Sequence, residues 1–234
     1  MKIIFQNKDF IVIDKPAGLA VHSGVGTSDP TLVDFLLKKF PEIKGVGDEP
    51  EIRPGIVHRL DKETSGVMVV ARNQKSFEHL KNLFRGRKVE KKYLAVVHGR
   101  LKEKEGRIEG EMGRSKKDFR KMALVRGKIS VRKERYSLTR YKVKKEFDDF
   151  SLLEVYPATG RMHQIRVHLH AIGHPVAGDK KYFFKNSLPR RQASENTSAE
   201  RMLLHAASIG FTGPNGEKYF FESEAPKGFG KFFE

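Results

Sequence analysis

Hydrophobic positions along this chain fall mainly in short alternating or continuous runs broken by glycine, proline and asparagine. That is the pattern of a strand-rich protein with a few amphipathic helices. Ile3-Ile4-Phe5 and Phe10-Ile11-Val12-Ile13 predict two strands across polar Asn7-Lys8-Asp9. Lys15-Pro16-Ala17-Gly18 is a turn, and Leu19-Ala20-Val21-His22 completes a small β unit. Helical spacing over residues 31–40, opened by Asp29-Pro30 and closed by Pro41, predicts a first helix. A polar linker over residues 45–54 leads to a segment bracketed by Pro54-Gly55 and Thr64-Ser65-Gly66. Residues 66–72 read as a buried strand. Asn73 then caps a helix running to about Arg85, with Phe77, Leu80, Leu83 and Phe84 on one face.

The second half is read the same way. Residues 91–99 form a strand with basic residues at its entrance, and residues 101–114 are polar and glycine-punctuated. Alternation over 119–125, 129–138 and 141–144 predicts hairpins, with Arg126-Gly127-Lys128 as one turn. Residues 150–156 form an apolar strand. A turn at Thr159-Gly160 precedes a helix from about Met162. Residues 185–200 are polar and expected to be mobile. Residues 201–211 lead a strand that turns through 212–217 into a last strand at 218–221, and Glu224-Ala225-Pro226 closes the domain.

Composition narrows the function. A chain of 234 residues can bury one substantial core or two small ones. It has no apolar stretch long enough to span a bilayer, and its N-terminus turns polar too early for a signal peptide. With no cysteine there is neither a disulfide nor a thiolate metal site, and a cytoplasmic location is expected. The formal charge of +17 is concentrated: residues 85–145 hold 23 basic and 7 acidic side chains, while the rest is nearly neutral. A basic block of this kind suits a nucleic acid. Arg114, Lys116, Lys117, Arg120 and Lys121 are candidates for phosphate contacts. No amphipathic anchor suggests a membrane surface.

Candidate chemistry centres on Ile56-Val57-His58-Arg59-Leu60-Asp61-Lys62-Glu63-Thr64-Ser65-Gly66. Apolar residues lead in and out, so Asp61 falls in a tight polar loop between rigid elements. Asp61 could simply cap the turn. Arg59, two residues before it, could instead share its face in extended backbone and hold the carboxylate ionised for use as nucleophile or base. A pair with Glu63 has no firm local support. Four histidines between His163 and His174 raise a metal site, but no acidic ligand accompanies them and Gly173 interrupts the helix, which argues against metal. Tyr93 reads either as a core aromatic or as a flat face for a flipped base.

The run from His58 to Gly66 resembles the signature of the RluA family of RNA pseudouridine synthases: His-Arg-Leu-Asp, two variable residues, then Thr-Ser-Gly. Five further blocks occur in the family's order. They are Asp14-Lys15-Pro16-Ala17-Gly18-Leu19, Lys91-Lys92-Tyr93-Leu94-Ala95, Thr159 to Leu169, Gly173-His174-Pro175-Val176-Ala177-Gly178-Asp179, and Leu203-Leu204-His205-Ala206. Many family members carry an S4 RNA-binding domain ahead of the first block. This chain begins almost directly with that block, so one catalytic domain over residues 1–234 without S4 is expected.

The resemblance implies an α+β fold, with a mixed, largely antiparallel bent sheet, flanking helices and a central basic cleft. It implies isomerisation of uridine in structured RNA, ribosomal or transfer, to pseudouridine. Asp61 would start cleavage of the N-glycosidic bond, by attack on the base, by attack on the sugar or by removing a sugar proton. Arg59 would fill the space left by the flipped base, Tyr93 would stack on the uracil, Arg166 would pair with Asp61, and Leu204 would pack near the target base, unless it is plain core. No cofactor and no metal are expected, and a monomer is expected. The rival readings are a non-catalytic RNA-binding or ribosome-assembly protein of the same fold, and a nucleoside or glycoside hydrolase.

Overall fold

The computed structural model describes residues 1–24, 29–127, 129–184, 199 and 201–232. The polar stretch 185–200, apart from residue 199, and Lys128 of the predicted turn lie outside these. In chain order the elements are β1 (Lys2–Gln6), β2 (Phe10–Lys15), α1 (Leu32–Lys39), β3 (Ser65–Ala71), α2 (Gln74–Arg85), β4 (Glu90–His98), β5 (Glu105–Ser115), β6 (Met122–Leu124), β7 (Val131–Glu146), β8 (Phe150–Pro157), α3 (Gln164–Ala171), β9 (Leu204–Thr212) and β10 (Lys218–Glu222). The architecture is the α+β one expected, with a largely antiparallel sheet. The chain divides into two compact units, Met1–Lys91 with Ala206–Glu224, and Lys92–His205 with the segment from Ala225 onward.

In the first unit β1, β2 and β3 pair antiparallel in sequence order, and β10 pairs antiparallel with β9. Phe10 to Ile13 and Val67 to Ala71 are buried without a break, because both faces of these strands are covered. Phe10 meets Phe211 edge-on at 5.2 Å and Tyr219 at 5.0 Å, closing the outer end of this core. Helix α1 starts one residue later than the Asp29-Pro30 signal suggests. Thr31 is the cap, with its hydroxyl taking the amide of Asp34 while the Asp34 carboxylate takes the amide of Thr31. Asn73 caps α2 as expected, accepting from Ser76 N at 2.9 Å. Residues 19–22 form no strand; Ala20 and Val21 offer their carbonyls to the first amides of α1 instead.

The second unit orders its strands β4-β8-β7-β5-β6, all antiparallel. Three predictions change here. Residues 105–115, read as a polar stretch, are strand β5, whose inward positions Ile108 and Met112 join the core. The two strands expected over 129–144 are one, β7, because its first part pairs with β5 and its later part with both β5 and β8. The domain does not close at Pro226. Phe229 and Phe232 are buried, and Phe232 packs edge-on against Phe147 and Phe150.

Gly66, the last residue of the central motif, sits at φ 117°, and a Cβ built on it would lie 2.2 Å from the carbonyl oxygen of Ala206. Gly216 also has positive φ but open space around it. Gly216→Ala is therefore expected to cost about 1 kcal/mol of backbone strain. Gly66→Ala adds overpacking and should cost at least about 3 kcal/mol, read as the difference in urea midpoints.

Candidate active site

The motif loop belongs to the first unit and is fastened at several points. Ile56 bridges to Val70, and Leu60 is buried. The turn at the motif's centre closes through the main chain, Thr64 N to Asp61 O at 3.1 Å. Asp61 itself is half-buried. Lys15 is fully buried, and its ammonium donates to the carbonyls of Pro16 (2.8 Å), Leu19 (2.8 Å) and Lys62 (3.1 Å). Gly18 N donates to the same Lys62 oxygen at 2.8 Å. The first block and the motif loop are thus clasped around one cation, a role for Lys15 that its turn context did not suggest.

His58 stacks on Phe84 with ring centroids 4.5 Å apart, and its Nε2 accepts from Val69 N at 3.1 Å. Desolvation, reinforced by the charge of Lys91, pushes its pKa down to about 3, so the imidazole is neutral and acts as a strut. Burial lowers Lys91 in turn to about 8. Arg59 is exposed and reaches His22, Nη1 to Nε2 at 3.3 Å, while His22 Nδ1 donates to Ser23 O. Lys62 pairs with Asp29 at the surface, and Glu63 is exposed.

Arg166 lies in the second unit, on α3. It is buried and bound in bidentate fashion to Asp179, Nε to Oδ2 at 2.7 Å and Nη2 to Oδ1 at 2.9 Å. Its guanidinium carbon is 5.0 Å from the ring centroid of Tyr182. Asp179 Oδ1 also accepts from the amides of Lys181 and Tyr182. Burial pushes this carboxyl up, but the Arg166 bonds and charge and the two amides outweigh it and hold it below the usual range. The Tyr182 hydroxyl accepts from Met122 N at 2.9 Å and lies 2.7 Å from His163 Nδ1. Tyr93, half-buried on β4, packs against the core of this unit, and Leu204 is buried within that core. The histidines weighed as ligands turn to separate partners: His163 to Tyr182, His168 to Ser137, His170 onto Phe184 and His174 to the carbonyl of His98.

The model of the RNA pseudouridylate synthase family matches residues 9–171, a span that includes the loop carrying Asp61 and the whole of α3. The chain belongs to the RluA family of RNA pseudouridine synthases. It is 39% identical over 236 residues to an uncharacterized RNA pseudouridine synthase of Bacillus subtilis, covering 100% of this chain and 72% of that protein. It is 36% identical over 230 residues to ribosomal large subunit pseudouridine synthase D of Borreliella burgdorferi, covering 97% of this chain and 66% of that one. Among solved structures, human RNA pseudouridylate synthase domain containing 1 aligns with a TM-score of 0.76 at 29% identity, over 96% of this chain and 83% of that one.

In this pseudouridine synthase the motifs single out Asp61, Arg59 and Arg166, but not the partners that hold Arg59 and Arg166. Asp179 was visible as the end of the Gly173–Asp179 block, yet nothing in sequence joins it to an arginine 13 positions earlier. Asp179→Ala removes the bidentate partner of the buried Arg166 guanidinium and should cost about 3–5 kcal/mol. Breaking the exposed Lys62–Asp29 pair should cost no more than about 1 kcal/mol; urea melts compare the two. His58 titrates near 3 when folded and near 6.5 when unfolded, so the unfolded chain takes the proton first. The stability from neutral His58 is complete above about pH 6.5 and drains away toward pH 3. His58→Gln should therefore flatten the acid limb of a stability–pH series between about pH 6 and 4 by up to about 1.4 kcal/mol per pH unit.

Proposed function

We propose that this enzyme converts uridine to pseudouridine at defined positions of a structured RNA, with Asp61 as its catalytic carboxylate. One observation carries the assignment. The nine residues His58 to Gly66 match the family signature at every fixed position, and Asp61 sits in a loop clasped by Lys15 and braced by His58. A reacting group gains most from such preorganisation when its support is rigid.

In this reading the target uridine leaves its stack at a cost of about a few kcal/mol. Arg59, exposed beside His22, fills the space it leaves. Tyr93 offers its ring to the uracil, and Leu204 packs near the base. Arg166, oriented by Asp179 and Tyr182, keeps Asp61 ionised. Asp61 initiates scission of the bond between N1 of uracil and C1′ of ribose. The base turns, C5 bonds to C1′, the C5 proton is lost and N1 gains one, so the product is an isomer of the substrate.

Ribosomal RNA is the first substrate to test, because the Borreliella burgdorferi relative is named for the large ribosomal subunit. Purified protein is incubated with large-subunit ribosomal RNA and with transfer RNA, and pseudouridines are mapped. The wild type should create pseudouridine at one or a few positions, whereas Asp61→Asn should create none yet bind RNA within a few-fold. Equal product from Asp61→Asn would remove the carboxylate from the mechanism. Free uracil would point to a hydrolase, and no product from either protein would point to a binding role.

A further inference from the structure

The turn between β5 and β6 carries Phe119, which at 73% exposure is the most exposed large hydrophobic among the described residues. The turn is not loose. Ser115 N donates to Lys121 O at 2.9 Å, and Lys121 N to Asp118 O at 2.9 Å. The Ser115 hydroxyl accepts from the amides of Lys117 and Asp118, Arg114 donates to the carbonyl of Phe119, and Lys181 reaches the carbonyl of Arg120. The phenyl ring is thus held out in water on a backbone fixed by its own hydrogen bonds.

A single exposed aromatic needs no explanation. Two further observations set this one apart. Residues 114–121 hold five basic side chains and one acidic, and that one, Asp118, is already closed on Arg120. Across the β5–β7 ladder, Arg114 stands directly opposite Arg132. Like charges in facing positions repel, and among the described residues neither arginine has a carboxylate within salt-bridge distance. Arginines in facing positions of a ladder suit a shared phosphate, and Arg114 keeps further N–H groups beside the one it gives to Phe119.

We infer that the β5–β6 tip is an RNA contact separate from the reacting loop. Phe119 stacks on an unpaired base, and Arg114 and Arg132 hold a phosphate beside it. Flat rings beside cationic side chains are how proteins grip single-stranded segments without reading sequence. The inference rests on RNA being the substrate, as in the proposed function, but not on the role of Asp61.

The chain contains no tryptophan, so Phe119→Trp places a single indole at the tip. Binding is followed with a fluorescein-labelled RNA hairpin bearing a uridine-rich loop, and with a blunt RNA duplex of equal length. Loop RNA should quench the indole emission of this variant and the duplex should not. Phe119→Ala should melt like the wild type, bind loop RNA about five- to a hundred-fold more weakly, and keep the same salt dependence. Arg114→Ala and Arg132→Ala should each lower the slope of log affinity against log salt by about one unit or slightly less. Unchanged indole emission with unchanged affinity of Phe119→Ala overturns the inference, as does equal quenching by duplex. If these effects appear but no pseudouridine forms, only the proposed function fails; if pseudouridine forms without them, only this inference does.

Discussion

A lysine with no exposed surface is the constraint on which the motif loop depends. An ammonium taken out of water is costly unless hydrogen bonds replace its hydration. Lys15 meets that demand with carbonyl oxygens from two segments, its own turn and the motif loop 47 residues later. The demand is directional, so it fixes where the two segments lie within the first unit. Strut-like His58 and the main-chain turn at Asp61 then follow from a backbone that has little freedom left.

The second unit meets the same problem with the opposite partner. A buried guanidinium is tolerated because one carboxylate takes two of its N–H groups and a tyrosine ring lies near its charged carbon. Such pairs add little net stability, but they fix direction. Of the chain's 46 basic residues, 15 fall in residues 105–146, along β5, β7 and their connections, and serve differently. There each cation contributes little and the sum gives affinity for a polyanion. Buried charges orient and exposed ones attract, and the two sets hardly overlap.

The sequence revealed what local pattern encodes. The continuous apolar runs of β2 and β3, the Asn73 cap and the blocks around Asp61 and Arg166 were all legible, because each is a short-range signal. What escaped depends on partners far along the chain. Strand β5 is polar at most positions and contributes little beyond Ile108 and Met112 to the core, so its alternation is faint. The unbroken length of β7 is imposed by pairing to two neighbours, and the packing of Phe229 and Phe232 by a core assembled elsewhere. Lys15 looked like turn chemistry because its third carbonyl comes from residue 62.

The crowding at position 66 changes what a motif match means. The final letter of the signature is dictated by a neighbouring backbone oxygen, not by chemistry on a substrate. A relative that had given up turnover while keeping its architecture would still need hydrogen as the side chain there. Presence of the terminal glycine therefore reports an intact scaffold and, by itself, no capacity to react; in the mechanism proposed above that capacity rests on the acid five residues upstream.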